Sequence, residues 1–127
     1  EGQNWEAIMF AAHKKVDNLI ATIDVNGQQI DGPTEKVMAL QSLKAKFDAF
    51  NWTVVEMDGN NMEAVINGLA AAKAQIRKEK PVVILMKTAM GKGVDFMEGT
   101  HEWHGIAPND EQLANALAQL PETLGDY

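Results

Sequence analysis

Apolar positions along this chain fall into runs of two kinds, one spaced for helices and one for covered strands. Trp5, Ile8, Met9, Ala12 and Val16 recur at i, i+3, i+4, i+7 and i+11, which predicts an amphipathic helix over about residues 3–15. Lys14 and Lys15 sit in its last turn, where cations complement the dipole, and His13 beside them reads as a surface histidine. Leu19, Ile20, Ile23 and Val25 then form a run that barely alternates, as in a strand over 19–25 that is covered on both faces. Leu40, Leu43, Phe47 and Phe50 predict a second helix over about 36–50, followed by a short strand at 53–57. Asn60, with Glu63 in the capping-box position, opens a helix whose expected buried face is Met62, Val65, Ile66, Leu69, Ala72 and Ile76. Lys73 interrupts that face, and its stem can lie along it. Pro81 breaks the pattern, and Val82, Val83, Ile84, Leu85 and Met86 form a fully apolar strand. Residues 87–108 read as one long loop. Asn109, with Gln112 in the box position, opens a last helix that turns Leu113, Ala116, Leu117 and Leu120 inward; from Pro121 onward a tail is expected.

The order α-β-α-β-α-β-loop-α predicts an α/β fold, a parallel sheet with helices on both faces and right-handed crossovers. At 127 residues the chain is one domain or a piece of one. It moves at once from Glu1 into a helical pattern, with no preceding strand, so an incomplete α/β domain over 1–127 is expected. The formal charge of −7 argues against non-specific nucleic-acid or anionic-membrane binding. No cysteine is present, which excludes disulfides and thiolate metal sites. No apolar run approaches the ~20 residues that span a bilayer. The first residues lack a basic segment followed by an apolar one, so a cytoplasmic setting is the default expectation.

Three polar groups follow strands, where α/β sheets bind ligands. Asp24, Asn26, Gln28, Gln29 and Asp31 arrive together, with Gly27 and Gly32 to let the backbone turn. An Asn amide oxygen and a main-chain carbonyl two residues on can bind one side of an octahedral Mg²⁺, which usually also takes a carboxylate, phosphate oxygens and water. From the residues alone, a polar turn without metal is the better reading. Asn26-Gly27 is also a hairpin signal, but Gln28 to Pro33 does not read as a returning strand, so a loop is expected. Lys87, Thr88, Gly91, Lys92 and Gly93 can bring N–H groups and positive charge to phosphate, or can form a solvated loop. His101 and His104 can hydrogen-bond a phosphate or a developing charge, or can pack against Trp103; a zinc site would need further His or Cys ligands.

These groups, in this order, resemble the cofactor-diphosphate-binding domain of transketolase, a thiamine diphosphate enzyme. The opening Glu1, Gly2, Trp5, Glu6 and Ala7 look like the segment after that family's Gly-Asp-Gly motif. Asp24, Val25 and Asn26 look like the end of its thiamine diphosphate motif, continued by Ile30, Asp31 and Gly32. Lys87, Thr88, Gly91 and Gly93, then Trp103, His104 and Gly105, resemble later elements, so the likeness covers essentially the whole chain.

The resemblance implies that Asn26 gives its side-chain oxygen, and Gln28 its main-chain carbonyl, to a Mg²⁺ that tethers the diphosphate. It places Ile30 near the cofactor rings. His104 would contact the diphosphate and help position the donor substrate. Some relatives carry lysine where Met90 stands, and Lys92 would supply part of that contact. The implied reaction moves a two-carbon ketol unit between sugar phosphates. The family's Gly-Asp-Gly aspartate, its pyrimidine-binding domain and that domain's activating glutamate are not among these residues. The implied partner is therefore the remainder of a transketolase, a pyrimidine-binding domain or C-terminal subunit, in a homodimer or heterotetramer; the 127 residues alone are expected to be inactive. Deoxyxylulose-phosphate synthase and the pyruvate dehydrogenase first component are the neighbouring alternatives, and a non-catalytic α/β binding module is the alternative of another class.

Overall fold

The structure, a computed structural model, describes residues 1–121; the expected tail beyond Pro121 lies outside the described residues. In chain order its elements are helix α1 (Gly2–His13), strand β1 (Ile20–Val25), the short strands β2 (Gln28–Gln29) and β3 (Gly32–Pro33), and helices α2 (Thr34–Val37) and α3 (Leu43–Ala49). Strand β4 (Thr53–Asp58), helix α4 (Met62–Lys73), strand β5 (Val82–Lys87) and helix α5 (Asp110–Gln119) follow. The described residues divide into two compact units, Glu1–Val25 with Leu40–Thr88, and Asn26–Ala39 with residues 89–121.

The first unit is built on a parallel sheet in the order β1-β5-β4. Its register is level: Ile20 and Thr53 flank Val82, and Val25 and Asp58 flank Lys87. Because strand side chains alternate between faces, β5 feeds two cores at once. Val83 and Leu85 pack with Ala11, Phe47 and Trp52 from the α1 and α3 side, while Val82 and Ile84 pack with Ala72 of α4. Helices thus cover both faces, as the alternation of elements predicts. Val82, Val83 and Ile84 are fully buried, each contributing about 1.5–3 kcal/mol through apolar burial. The strand covered on both faces is β5, not β1: Thr22 and Asp24 of β1 are exposed, because β1 lies at the sheet edge among the described residues.

Aromatic rings fill the α1 and α3 side. Phe47 meets Trp52 edge-on at 5.4 Å, Trp5 lies 6.3 Å from Phe47, and the Trp52 indole N–H donates to Ile8 O at 2.9 Å, so the indole is buried with its donor satisfied. On the other face small residues set the fit. A Cβ at Gly68 would run into the Met57 side chain, so glycine there lets α4 lie directly on β4. That contact turns Gly68 and Ala72 inward and leaves Met62, Ile66 and Leu69 exposed, which corrects the expected buried face of α4.

Several boundaries differ from expectation. The single helix expected over 36–50 is two helices, because Met38 is extended, Gln41 has φ +54°, and Ser42 caps α3 by accepting from Ala45 N. The cap of α4 is Asn61, which accepts from Ala64 N at 3.1 Å, while Asn60 N donates to Asp58 Oδ1 in the preceding turn. The capping box of Asn109 and Gln112 is formed at both bonds. On α5 only Ala116 of the expected inward residues is buried; Leu113, Leu117 and Leu120 are exposed.

In the second unit, Gln28 to Pro33 does return as a strand. β2 pairs antiparallel with β3 around a turn at Ile30 and Asp31, and Thr34 N donates to Gly27 O at 2.9 Å to close it. The hairpin is therefore one step beyond Asn26-Gly27, and Gly32, at φ +143°, takes a backbone conformation that side chains disfavour. Residues 89–108 fold on themselves: Gly99 N donates to Met90 O at 2.8 Å, Val94 is buried, and Phe96 meets Trp103 at 5.2 Å. α5 joins this loop through a reciprocal pair, Asp95 N to Gln119 Oε1 and Gln119 Nε2 to Asp95 Oδ1, both 2.8 Å.

Candidate functional site

Asn26, Gln28, Ile30, Lys92 and His104 all lie in the second unit. Asn26 follows directly on β1 in the chain and is half-buried. Its Oδ1 accepts from Gln28 N at 2.9 Å, the turn that Asn side chains make with the backbone two residues on. An amide oxygen has two lone pairs, so one is left for a second partner. Gln28 stands opposite Pro33 in the hairpin. Because Thr34 N bonds Gly27 O, the next opposed pair, Gln28 and Pro33, is a non-hydrogen-bonded one, so the Gln28 carbonyl points away from the ladder. Two neutral oxygens are thus presented two residues apart.

The Gln28 side chain does something that its place in the sequence did not reveal. Its Nε2 donates to Gly99 O at 3.0 Å, tying the hairpin to the loop that carries His104. Its Oε1 is buried and finds no hydrogen-bond partner among the described residues. Ile30 stands at the hairpin turn, 75% exposed. His104 is exposed, and its main-chain N–H is fixed to His101 O at 3.0 Å. Trp103 is stacked edge-on against Phe96, so its partner is an aromatic ring nearby in the same loop.

Lys92 is engaged by a residue that sequence reading missed. Its Nζ lies 2.8 Å from Glu98 Oε1, and Glu98 Oε2 accepts from Gly93 N at 3.1 Å. The Lys92 ammonium and then the Gly93 N–H hold the Glu98 carboxyl below its ordinary value. The pair is separated by six positions in a glycine-rich loop, a spacing no regular element would bring together, so no periodic signal could have found it. In the first unit, the Thr88 hydroxyl donates to Asp24 Oδ1 and Thr88 N donates to Val25 O at 3.4 Å, so Asp24 serves to close the ends of β1 and β5.

These donors fit one side of a Mg²⁺ and diphosphate site. Asn26 and Gln28 supply oxygens of the right kind. Among the described residues no three His, Cys, Asp or Glu side chains gather into a metal site. The charged ligand that Mg²⁺ ordinarily takes would come from outside them.

Residues 1–123 match the family model described as the transketolase thiamine diphosphate binding domain. The chain belongs to the transketolase family. It is 40% identical over 124 residues to an apulose-4-phosphate transketolase subunit of Phocaeicola vulgatus, a match covering 98% of this chain and 43% of that protein. It is 40% identical over 120 residues to the 6-deoxy-6-sulfo-D-fructose transketolase subunit SqwG of a Clostridium species, again over 43% of the relative. The chain therefore spans under half the length of these curated relatives. Among solved structures, the transketolase of Leishmania mexicana superposes with a TM-score of 0.82 at 32% identity, over 93% of this chain and 17% of that one. The Campylobacter jejuni enzyme gives 0.80 at 29% identity, over 94% and 18%. The fold is thus that of part of a transketolase thiamine diphosphate-binding region, as the resemblance implied.

Proposed function

We propose that this chain supplies the diphosphate and metal side of a transketolase active site. In that reading the complete enzyme transfers a two-carbon ketol unit between sugar phosphates, with thiamine diphosphate and Mg²⁺. The observation that carries it is the Asn26 turn, which leaves one lone pair on Oδ1, beside a Gln28 carbonyl that takes no part in the hairpin ladder. Asn26 and Gln28 would hold the metal, and His104, exposed on its loop, would donate a hydrogen bond to the diphosphate and orient the donor sugar. Ile30, exposed at the hairpin turn, would lie against the cofactor rings. Lys92 would exchange Glu98 for phosphate; exposed ion pairs are weak, so Glu98 does not bar that exchange. When bound, thiamine diphosphate supplies the nucleophilic carbon, and the protein groups bind and orient it.

The partner is the rest of a transketolase, carrying the pyrimidine-binding domain and the acidic metal ligand on the same longer chain or on a second subunit. The names of the two curated relatives, both of them subunits, support a divided enzyme. In this reading it assembles as a homodimer or heterotetramer and works in the cytoplasm. Calorimetry with Mg²⁺ and thiamine diphosphate on the intact protein with its partner tests the assignment. Asn26→Ala is expected to weaken cofactor binding about 10–100-fold, as for loss of groups that hold a metal in place. Unchanged affinity in that variant refutes the role given to Asn26.

A further inference from the structure

Asn26 and His104 sit on two separate stretches of the second unit, and a single side chain bridges those stretches. The Gln28 amide nitrogen donates to Gly99 O at 3.0 Å, from the strand that follows Asn26 to the turn that precedes His104. The orientation of the amide is fixed by chemistry: its oxygen could not face the Gly99 carbonyl, since both are acceptors. That orientation leaves Oε1 buried without a partner among the described residues. A buried acceptor left unpaired opposes folding by at least as much as one ordinary hydrogen bond favours it. An apolar side chain of the same length would fill the position with no such penalty. The amide is therefore a poor choice for stability and a good one for joining two segments.

We propose that Gln28 is a positioning residue: through its amide it sets the His104 loop relative to the Asn26 turn, so that cofactor binding at one is felt at the other. This rests on the proposed roles of Asn26 and His104 in cofactor binding. It goes beyond them because the role uses the Gln28 side chain, whereas the metal would use only its main chain. When Mg²⁺ and thiamine diphosphate bind, hairpin and loop tighten together.

The test uses the intact enzyme with its partner, with Mg²⁺ and thiamine diphosphate as the probe. Hydrogen exchange is followed over residues 26–33 and 98–105, alongside cofactor affinity. In the native protein both segments gain protection on binding. Gln28→Met is expected to keep the thermal midpoint and the protection of 26–33, to lose the added protection of 98–105, and to weaken cofactor binding about three- to ten-fold. Gln28→Leu removes the donor without adding a charge and should reproduce this if the methionine variant folds poorly. A cycle with His104→Ala completes the test, since coupled groups give non-additive losses. Little further loss from Gln28→Met in the His104→Ala background supports the tie. An equal loss in both backgrounds, or protection of 98–105 that survives in both Gln28 variants, overturns it. Asn26→Ala run in parallel separates the two failures: if that variant binds normally, the cofactor reading itself falls, whatever Gln28 does.

Discussion

Glu98 shows how one side chain can organise a loop that has no regular structure. It neutralises Lys92 and caps the Gly93 N–H, so the turn between them is held by a carboxylate at its centre. Its pKa is depressed, first by the Lys92 hydrogen bond and then by the Gly93 N–H, and the sign of the pH effect follows. A group that is more acidic when folded contributes stability above its unfolded value and loses it as pH falls through the folded value. Order in residues 91–98 is therefore expected to be complete at neutral pH, to weaken as pH drops below the ordinary glutamate value of 4.5, and to become pH-independent there in Glu98→Gln. Amide chemical shifts of Lys92 and Gly93 across a pH titration would report it. At this scale the sequence was legible only where partners are close along the chain. Asn109 and Gln112 announced their capping box three residues apart, whereas Gln28 and Gly99 meet across 71 positions and gave no sign.

Elements were more legible than contacts, because hydrophobic period is read locally. The five apolar residues from Val82 predicted a fully apolar strand, and β5 is the one strand of the sheet with neighbours on both sides among the described residues. Its importance can be measured against a residue that looks equal in sequence. Ile84 is fully buried and Ile66 is 60% exposed. In urea denaturation of the intact protein, Ile84→Ala is expected to cost about 2–5 kcal/mol. An Ile66→Ala loss of the same size would show that the outer face of α4 is covered in the intact molecule. The helix expected over 36–50 failed for a local reason. Leu40, Leu43, Phe47 and Phe50 keep helical spacing, but Ser42 is a better cap than an interior residue, and the left-handed Gln41 before it ends continuity. The hairpin at Gln28 to Pro33 was missed because two-residue strands carry no period at all.

At the scale of the whole molecule, the predicted faces divide. On α1, Ile8, Ala12 and Val16 pack against the core as expected and only Met9 of the predicted face is exposed, whereas Met62, Ile66 and Leu69 on α4, and Leu113, Leu117 and Leu120 on and just after α5, are at least 41% accessible. Helical period tells which face is apolar, but not what covers it, and this chain corresponds to 43% of its curated subunit relatives. The proposed division of labour predicts that these 127 residues alone carry out little or no ketol transfer, and that adding the remainder of the enzyme restores it. Robust turnover by the isolated piece in a coupled assay would overturn that division.

The level sheet register carries a practical rule for anyone altering this protein. Val25, Asp58 and Lys87 share one rung, so each strand is counted out to the same length. Inserting a single residue within Val82–Lys87 would throw the inward side chains of the middle ribbon to the wrong side and unseat both cores together. The same insertion at an exposed loop glycine such as Gly105, where a Cβ would meet only open space, lengthens a connection by one link and is thermodynamically cheap. Tolerance to length change should therefore be absent along that shared rung and return only where a loop residue is exposed and bonded to nothing beyond its own turn.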